Sequence, residues 1–279
     1  MSKLFEVEEI GMKKQFIVAG TVVVLLVAGL SGCFEQTPTG TVSAAQIKAN
    51  ALQSTESINS YNFIMTGEIG TTVGDDSMTA SFNANGAIDI SNQKLKMEMS
   101  SSVPEQPAAT EIAFYIINNV LYSKTGIMGD QQWIKTNITS LNTIWNSYDQ
   151  MEMQKQLLEV SNVQKLNDEV VDGVNCYVLQ VEPDLEKYFE IMMNQLETSG
   201  SGNLSLGDIS DIIEGWSIKQ WIAKDTNLIK KIYNQMAMSY SFFDQEITMD
   251  MEITVVFSNY NTAVTIELPE EAENALWST

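Results

Sequence analysis

Apolar and polar residues alternate with period two through much of this chain, and no other feature constrains its fold as strongly. In the clearest stretch, residues 247–257, apolar side chains at every odd position alternate with Thr248, Asp250, Glu252 and Thr254. Successive side chains of a strand point to opposite faces, so this pattern predicts a sheet with one buried and one solvated face. The same alternation over residues 61–136 and 216–257 predicts long antiparallel strands.

Short polar segments predict the turns between these strands. Gly74-Asp75-Asp76, Ser91-Asn92-Gln93 and Asp172-Gly173 have the composition of tight turns, and Asn118-Asn119 predicts a tight hairpin. Beyond residue 136, strands are predicted at residues 163–169, 174–181, 216–224, 228–242 and 247–257.

Three segments change to helical spacing. Ser43 opens the first, with Gln46 three residues later in the spacing of a capping box. The second covers residues 141–160, and the third, residues 184–197, places apolar residues at intervals of three and four. We therefore predict one α+β domain over residues 43–279, in which about three helices cover a curved antiparallel sheet; the strongly curved, incomplete barrel is what the resemblance described below implies.

The N-terminal residues 12–33 have the pattern of a lipoprotein signal peptide. Lys13 and Lys14 precede an apolar run, and Leu30-Ser31-Gly32-Cys33 matches a lipobox, whose cysteine accepts a diacylglyceryl group and becomes the new N-terminus. The alternative is an uncleaved transmembrane helix with an incidental cysteine. The apolar run is short for that purpose, since a span prefers about 20 residues.

We accordingly predict a signal peptide over residues 1–32 and lipidation of Cys33. A polar tether over residues 33–42 joins the lipid to the domain, which places the protein at the extracytoplasmic face of the cell membrane. Residues 1–11 carry three glutamates, which is unusual ahead of a signal peptide, so Met12 is an alternative start.

Composition excludes several functions. The net charge is −21, all 15 basic residues are lysines, and there is no histidine. So acidic a chain does not suit nucleic acid, whose phosphates need cationic side chains, and the missing histidine removes His-based catalysis and metal sites. No Gly-x-Ser-x-Gly elbow is present in a suitable context, so we predict a protein that is not an enzyme and has no cofactor or metal.

Cys176 is the only cysteine after Cys33 and has no partner for an intramolecular disulfide. It lies in the strand-like run 174–179, and no base is available to activate its thiol. We expect a buried, inert side chain.

Thirteen of the 15 methionines follow Met12, and several occupy alternate positions of predicted strands. Because methionine is flexible and polarisable, a face rich in it adapts to ligands of variable shape. The alternative is that these residues fill an irregular core under the helices. Copper binding through thioethers is a third interpretation, and it lacks a histidine or a second thiol to complete a site.

Three segments carry a resemblance, in addition to the lipobox, the short tether and the long strands. They are an N-terminal helix ending in Ser60-Tyr61-Asn62-Phe63, residues 221–231 (Trp-Ile-Ala-Lys-Asp-Thr-Asn-Leu-Ile-Lys-Lys) and residues 264–272 (Val-Thr-Ile-Glu-Leu-Pro-Glu-Glu-Ala). With these features the chain resembles the LolA/LolB and LppX-type lipoproteins. Residues 221–231 are similar to their "WID..T.LI.K" strand-turn-strand pattern, although Ala223 stands where an acid is commoner, and residues 264–272 are similar to their terminal strand with an acidic "LPEEA" ending.

This resemblance implies a curved, incomplete barrel whose concave face, plugged by helices, holds acyl chains or another hydrophobic ligand. The candidate ligand-binding residues are Phe63, Met65, Phe82, Met97, Met99, Phe114, Met236, Met238, Met249 and Met251. As a lid, the helix at residues 184–197 closes the cavity with Tyr188, Phe189, Met192 and Met193. The alternative is a helix that stays docked on the sheet.

Two functions from different classes follow. The first is a lipid-anchored envelope protein that binds or carries a hydrophobic ligand, such as a lipid or acyl chain, in the concave face of its sheet. The alternative is a non-enzymatic surface interaction or sensor module with a filled core and a protein partner at an exposed edge strand. Two sequons, at Asn137 and Asn203, fall in predicted loops.

Overall fold

Helix α1, Ala44–Thr55, is the first element of the computed structural model, which describes residues 42–104, 109–125, 132–138, 149–188, 190–191, 212–242 and 245–278. The hydroxyl of Ser43 accepts a hydrogen bond from the backbone N–H of Gln46 at 3.2 Å, so the predicted N-cap is confirmed. The side-chain amide of Gln46 donates a hydrogen bond to Oδ1 of Asn50 at 2.8 Å, one turn along the helix. Ile47 and Ala51, one turn apart, are buried, so one side of α1 packs toward the core.

Most of the other described residues lie in strands. The strands are β1 (Ser60–Val73), β2 (Asp76–Asp89), β3 (Lys94–Ser102), β4 (Thr110–Ile117), β5 (Val120–Thr125), β6 (Trp133–Asn137), β7 (Ser161–Lys165), β8 (Glu169–Val171), β9 (Val174–Pro183), β10 (Ile213–Ala223), β11 (Ile229–Phe242), β12 (Gln245–Ser258) and β13 (Leu276–Trp277). Helix α2 (Gln150–Glu159) precedes β7, and the short helix α3 (Glu270–Glu273) precedes β13. Residues 185–188 and 190–191 are also helical.

These strands form one open sheet. Its order is β13-β6-β5-β4-β3-β2-β1-β12-β11-β10-β9-β7, with β8 paired to β9. The pairs are antiparallel except the short β13–β6 pair, which is parallel. Within the described ranges no pairing joins β7 to β13, so the two edges do not close a barrel. The described residues thus form an open antiparallel sheet with few helices, which confirms the coarse fold class that the sequence predicts.

The predicted turns lie where the sequence places them. Asn118 and Asn119 have φ values of +53° and +62°, which suit a type I′ hairpin between β4 and β5. Gly74 and Gly173, with φ of +61° and +80°, turn the chain at the predicted positions 74–76 and 172–173.

The single strand predicted over residues 163–169 is wrong, because two strands occupy this stretch. Lys165 of β7 lies opposite Leu179, and Glu169 of β8 lies opposite Cys176. The four residue steps from Lys165 to Glu169 therefore lie opposite only three steps on β9, from Leu179 to Cys176. The surplus residue forces a break in the ladder at residues 166–168.

The sheet has two chemically different faces. We call the side that carries Tyr61, Phe63 and Phe257 the helix face, because these residues pack with α1 and α2 in the main hydrophobic core. Fully buried members of this core include Ile47, Ile88, Leu95, Ile116, Met151, Leu158, Leu179, Ile218 and Ile222. The opposite side is called the outer face.

The C-terminal segment packs on the outer face and does not add a strand at residues 264–268. The resemblance implies a terminal strand there, but residues 263–269 have no strand assignment. Ile266, Ala272 and Ala275 are buried against Tyr115 and Trp133, whose rings meet edge to face at 5.8 Å. The apolar alternation of this segment therefore reflects packing against the sheet.

Candidate ligand-binding face

All ten residues that the sequence nominates for a hydrophobic site lie on the central strands β1–β4, β11 and β12. Directly opposed residues of an antiparallel pair point to the same side of a sheet, so the strand register assigns each of them to a face. The register places all ten on the helix face.

Two rows of opposed residues cross the sheet at the core end of this face. The first row consists of Phe257, Phe63, Gly86, Met97 and Phe114, taken from β12, β1, β2, β3 and β4. The second row consists of Val255, Met65, Ala84, Met99 and Ile112 on the same strands. Five of the ten candidates therefore lie in these two neighbouring rows: Phe63, Met65, Met97, Met99 and Phe114.

Four candidates form a separate block at the other end of the face. Met236 of β11 lies opposite Met251 of β12, and Met238 lies opposite Met249. Met251 in turn lies opposite Ile69 of β1, which links this block to the rest of the face. We call Met236, Met238, Met249 and Met251 the methionine block.

Burial falls from one end of the helix face to the other. Phe63 is a core residue at 2% exposure, and Met65 and Met97 pack against the same core. The methionine block and Met99 are half-buried, and among the described residues they belong neither to the core nor to the side chains packed against it. At the hairpin end, Met78 is 52% exposed. Met65 and Met97 therefore fit the core-filling interpretation, and ligand binding by the methionine block stays a prediction.

Two phenylalanines lie across glycines of the neighbouring strand. Phe82 of β2 is opposite Gly67 of β1, and a Cβ atom at Gly67 would lie 2.6 Å from Cζ of Phe82. Phe63 of β1 is opposite Gly86 of β2, where a Cβ would overlap the ring. Both rings therefore lean over the adjacent strand, and the glycines make room for them. Sequence reasoning nominated both phenylalanines and missed both glycines.

The outer face is polar and acidic over the same strands. Thr66, Glu68, Glu252 and Thr254 alternate with the apolar residues of β1 and β12. A crevice of about 350 Å³ lies further along this face, and its lining includes Asn85, Glu98, Glu111, Lys124 and Glu271. Of the ten candidates only Met99 borders it. This crevice therefore differs in position and in chemistry from the predicted hydrophobic site.

Glu98 is held as a carboxylate at this crevice. Partial burial raises its pKa, but hydrogen bonds from Tyr115 and Lys96 outweigh that effect, so the pKa lies below its ordinary value. The Lys96 ammonium lies 3.2 Å from Glu98. Burial and then the hydrogen bond to Glu98 raise the pKa of Tyr115. These groups satisfy one another, as in a structural ion pair.

Tyr188, the one lid candidate whose side chain the structure describes, belongs to the main core. Its ring meets that of Trp216 edge to face at 5.3 Å, and burial raises its pKa. Phe189, Met192 and Met193 lie outside the described side chains. A lid at residues 184–197 stays a prediction.

The two cysteines and the two sequons fall differently on the structure. Cys176 is fully buried on β9, as expected, and burial raises the pKa of its thiol. Cys33 and Asn203 lie outside the described residues. Asn137 was expected in a loop, but it is the last residue of β6 and pairs with Val120.

The described ranges lack two further features. They contain no group of three or more histidine, cysteine, aspartate or glutamate side chains able to hold a metal ion. Among the helices they contain, none is long and apolar enough to cross a membrane.

The fold and the apolar face together define a protein built on an open antiparallel sheet with one apolar face. More specifically, the chain belongs to the family of unknown function DUF6612, whose model matches residues 43–276. A search of curated proteins found no match.

Solved structures show more distant similarities. LprF from Mycobacterium bovis is 14% identical over 82% of this chain and 99% of its own, with a TM-score of 0.43. A LolA superfamily protein from Nitrosomonas europaea is 11% identical over 83% and 97% of the two chains, with a TM-score of 0.25. A DUF1329 family protein from Desulfovibrio piger is 12% identical over 81% and 96%, with a TM-score of 0.28. Similarities at this level carry no information about ligand or partner.

Proposed function

We propose that this chain is a lipid-anchored envelope protein that binds or carries a hydrophobic molecule on the helix face of its sheet. The observation that carries the proposal is the common face of the ten candidate residues, whose methionine-rich end is half-buried beyond the core. A filled-core interaction module does not require such an apolar surface at the end of its core.

The chemistry of this face suits a flexible apolar ligand. Apolar surface removed from water contributes about 25 cal/mol per Å², so affinity grows with contact area and does not depend on directional bonds. Methionine side chains adjust their shape to the ligand. The acidic outer face stays in water, so the two sides of the same strands have separate roles.

Lipidation of Cys33 is the second part of the proposal. Two acyl-type chains anchor a protein stably, whereas one chain holds it only marginally. The tether over residues 33–42 would then let the domain reach at most roughly 35 Å from the membrane surface. Such a protein is placed to receive apolar molecules from the bilayer.

Binding of cis-parinaric acid, a fluorescent fatty acid, tests the ligand face. Met249→Asp puts a carboxylate on the helix face, and we expect affinity to fall at least about 10-fold, since burying even a neutral polar group without a hydrogen bond costs about 1–3 kcal/mol and a carboxylate costs more. Thr248→Asp is the matched control, because Thr248 is the half-buried neighbour on the outer face. It should bind like the unchanged protein.

Lipid extraction and native mass spectrometry of the membrane-purified protein provide the second measurement. We expect a retained apolar molecule in addition to the anchor. An empty protein that also shows no saturable binding of cis-parinaric acid would refute the proposal and favour the interaction module.

A further inference from the structure

The four thioethers of the methionine block form a two-by-two array on adjacent strands. Met236 and Met238 lie two residues apart on β11, and Met251 and Met249 lie opposite them on β12. Opposed Cα atoms of an antiparallel pair are about 4.5–5.5 Å apart, and alternate residues of one strand are about 6.8 Å apart. Unbranched side chains with three rotatable bonds can bring their sulfur atoms from the corners of this rectangle to one point.

In the part of the chain that the structure describes, core filling does not account for the methionine block. Met65 and Met97 pack against the main core and serve that purpose. The four block methionines are half-buried and do not belong to that set. They are both clustered and accessible, which a metal-binding group requires.

We propose that the methionine block binds a soft monovalent metal ion, Cu(I) or Ag(I), through its four thioether sulfurs. Neutral sulfur donors select such ions over hard cations, which prefer oxygen. A site built from thioethers needs no histidine and no thiol. The sequence offers neither near these residues, and only the register of β11 and β12 reveals that four methionines lie next to one another.

Two further features favour a cation at this place. Trp216 of β10 lies opposite Met236, so an indole is adjacent to the block, and a tryptophan ring attracts cations. The net charge of −21 also raises the local concentration of cations around the protein. This inference depends only on the four sulfurs and their surroundings, and it stands whether or not an apolar ligand binds the same face.

Calorimetric titration of the full chain with Ag⁺ in a chloride-free buffer tests the proposal, because Ag⁺ needs no reductant. The test variant carries Met236→Leu, Met238→Leu, Met249→Leu and Met251→Leu. The control variant carries Met65→Leu, Met78→Leu, Met97→Leu and Met99→Leu, which removes as many thioethers from the same face. Methionine-to-leucine changes conserve volume and are well tolerated. Both variants keep Cys33 and Cys176, so any binding to thiols is common to all three proteins.

We expect the unchanged protein and the control variant to bind one more Ag⁺ per chain than the test variant. Bound Ag⁺ should also quench the fluorescence of Trp216, and Trp216→Phe should remove that part of the signal. Equal Ag⁺ binding by the unchanged protein and the test variant would overturn the proposal, as would the absence of saturable binding in both.

Two measurements keep the result interpretable. Single Met236→Leu and Met249→Leu variants each remove one donor, and each should weaken Ag⁺ binding less than the fourfold change. Binding of cis-parinaric acid by the test variant should persist, because leucine keeps the face apolar. In the test variant, loss of Ag⁺ binding with retained fatty acid binding supports the metal site. An unchanged protein that binds the additional Ag⁺ but no fatty acid would refute only the proposed carrier function.

Discussion

The hydroxyl of Tyr61 donates a hydrogen bond to Oδ1 of Asp149 at 2.7 Å, and both residues are buried. The same carboxylate oxygen accepts from the backbone N–H groups of Met151 at 3.1 Å and Glu152 at 3.2 Å. Asp149 therefore caps α2 and joins it to β1. This contact fixes a helix over the core end of the helix face.

Tyr61→Phe should destabilise the protein by about 1.5–3 kcal/mol, because a buried carboxylate loses a hydrogen bond. The free energy of unfolding in urea, measured at neutral pH, checks this. Tyr122→Phe is the control: Tyr122 is a half-buried tyrosine of β5 on the outer face, and its change should stay within about 0.5 kcal/mol. Equal stability of Tyr61→Phe and the unchanged protein would show that the contact does not hold the helix.

Stability should fall in alkaline solution partly through Tyr61. Burial, and after it the Asp149 carboxylate, raises the pKa of Tyr61 well above its ordinary value. The unfolded chain ionises this phenol near about pH 10 while the folded chain does not, so the contribution of Tyr61 is complete below that pH and is lost above it.

Urea unfolding at a series of pH values measures this effect. Above about pH 10 the free energy of unfolding of Tyr61→Phe should fall less steeply than that of the unchanged protein, by up to about 1.4 kcal/mol per pH unit. Other tyrosines whose pKa is raised by burial, such as the half-buried Tyr260, contribute to both proteins alike. Parallel curves would mean that Tyr61 ionises equally in the folded and unfolded chains.

Gly86→Ala should destabilise the sheet by about 1–3 kcal/mol, the usual cost of overpacking. The new Cβ would overlap the ring of Phe63 and lie 2.9 Å from the backbone oxygen of Lys96. Gly215→Ala is a matched control, because a Cβ there would meet nothing within 4 Å. Adding Phe63→Leu to Gly86→Ala should make the glycine change less costly than it is alone. Similar costs at the two glycines would contradict the account of the phenylalanine–glycine pairs.

Cys33→Ser should move the protein from the membrane fraction to the soluble fraction, because the lipid acceptor is lost. Cys176→Ala should leave the protein in the membrane fraction, since that thiol is buried and inert. Fractionation followed by intact mass measurement checks both the location and the lipid. A Cys33→Ser protein that remains membrane-bound with unchanged processing would favour an uncleaved helix.

The strands and turns were predictable because their signals are local. The alternation from Ile247 to Phe257 and the Asn118-Asn119 dipeptide each specify a conformation within a few residues. The shared side of alternate candidates on one strand, such as Met249 and Met251, also followed, but the placement of all ten on one face depended on the register of six strands.

Features that depend on register or on distant packing were not predictable. Tyr61 and Asp149 are 88 positions apart, and Gly67 is paired with Phe82 only once β1 and β2 are aligned. The adjacent positions of the four methionines likewise depend on the register of β11 and β12. The terminal strand expected at residues 264–268 was wrong for a different reason, because apolar alternation occurs in a segment packed on a sheet as well as in a strand.

Photocrosslinking with a diazirine fatty acid, followed by peptide mass spectrometry, tests the central claim most directly. Labels are expected on the helix face, at the methionine block, Met99 and Phe82, and binding should be competed by the unlabelled fatty acid. Labelling confined to the outer face, such as the crevice at Glu98 and Glu111, would contradict the account, and so would labelling that competitor does not reduce.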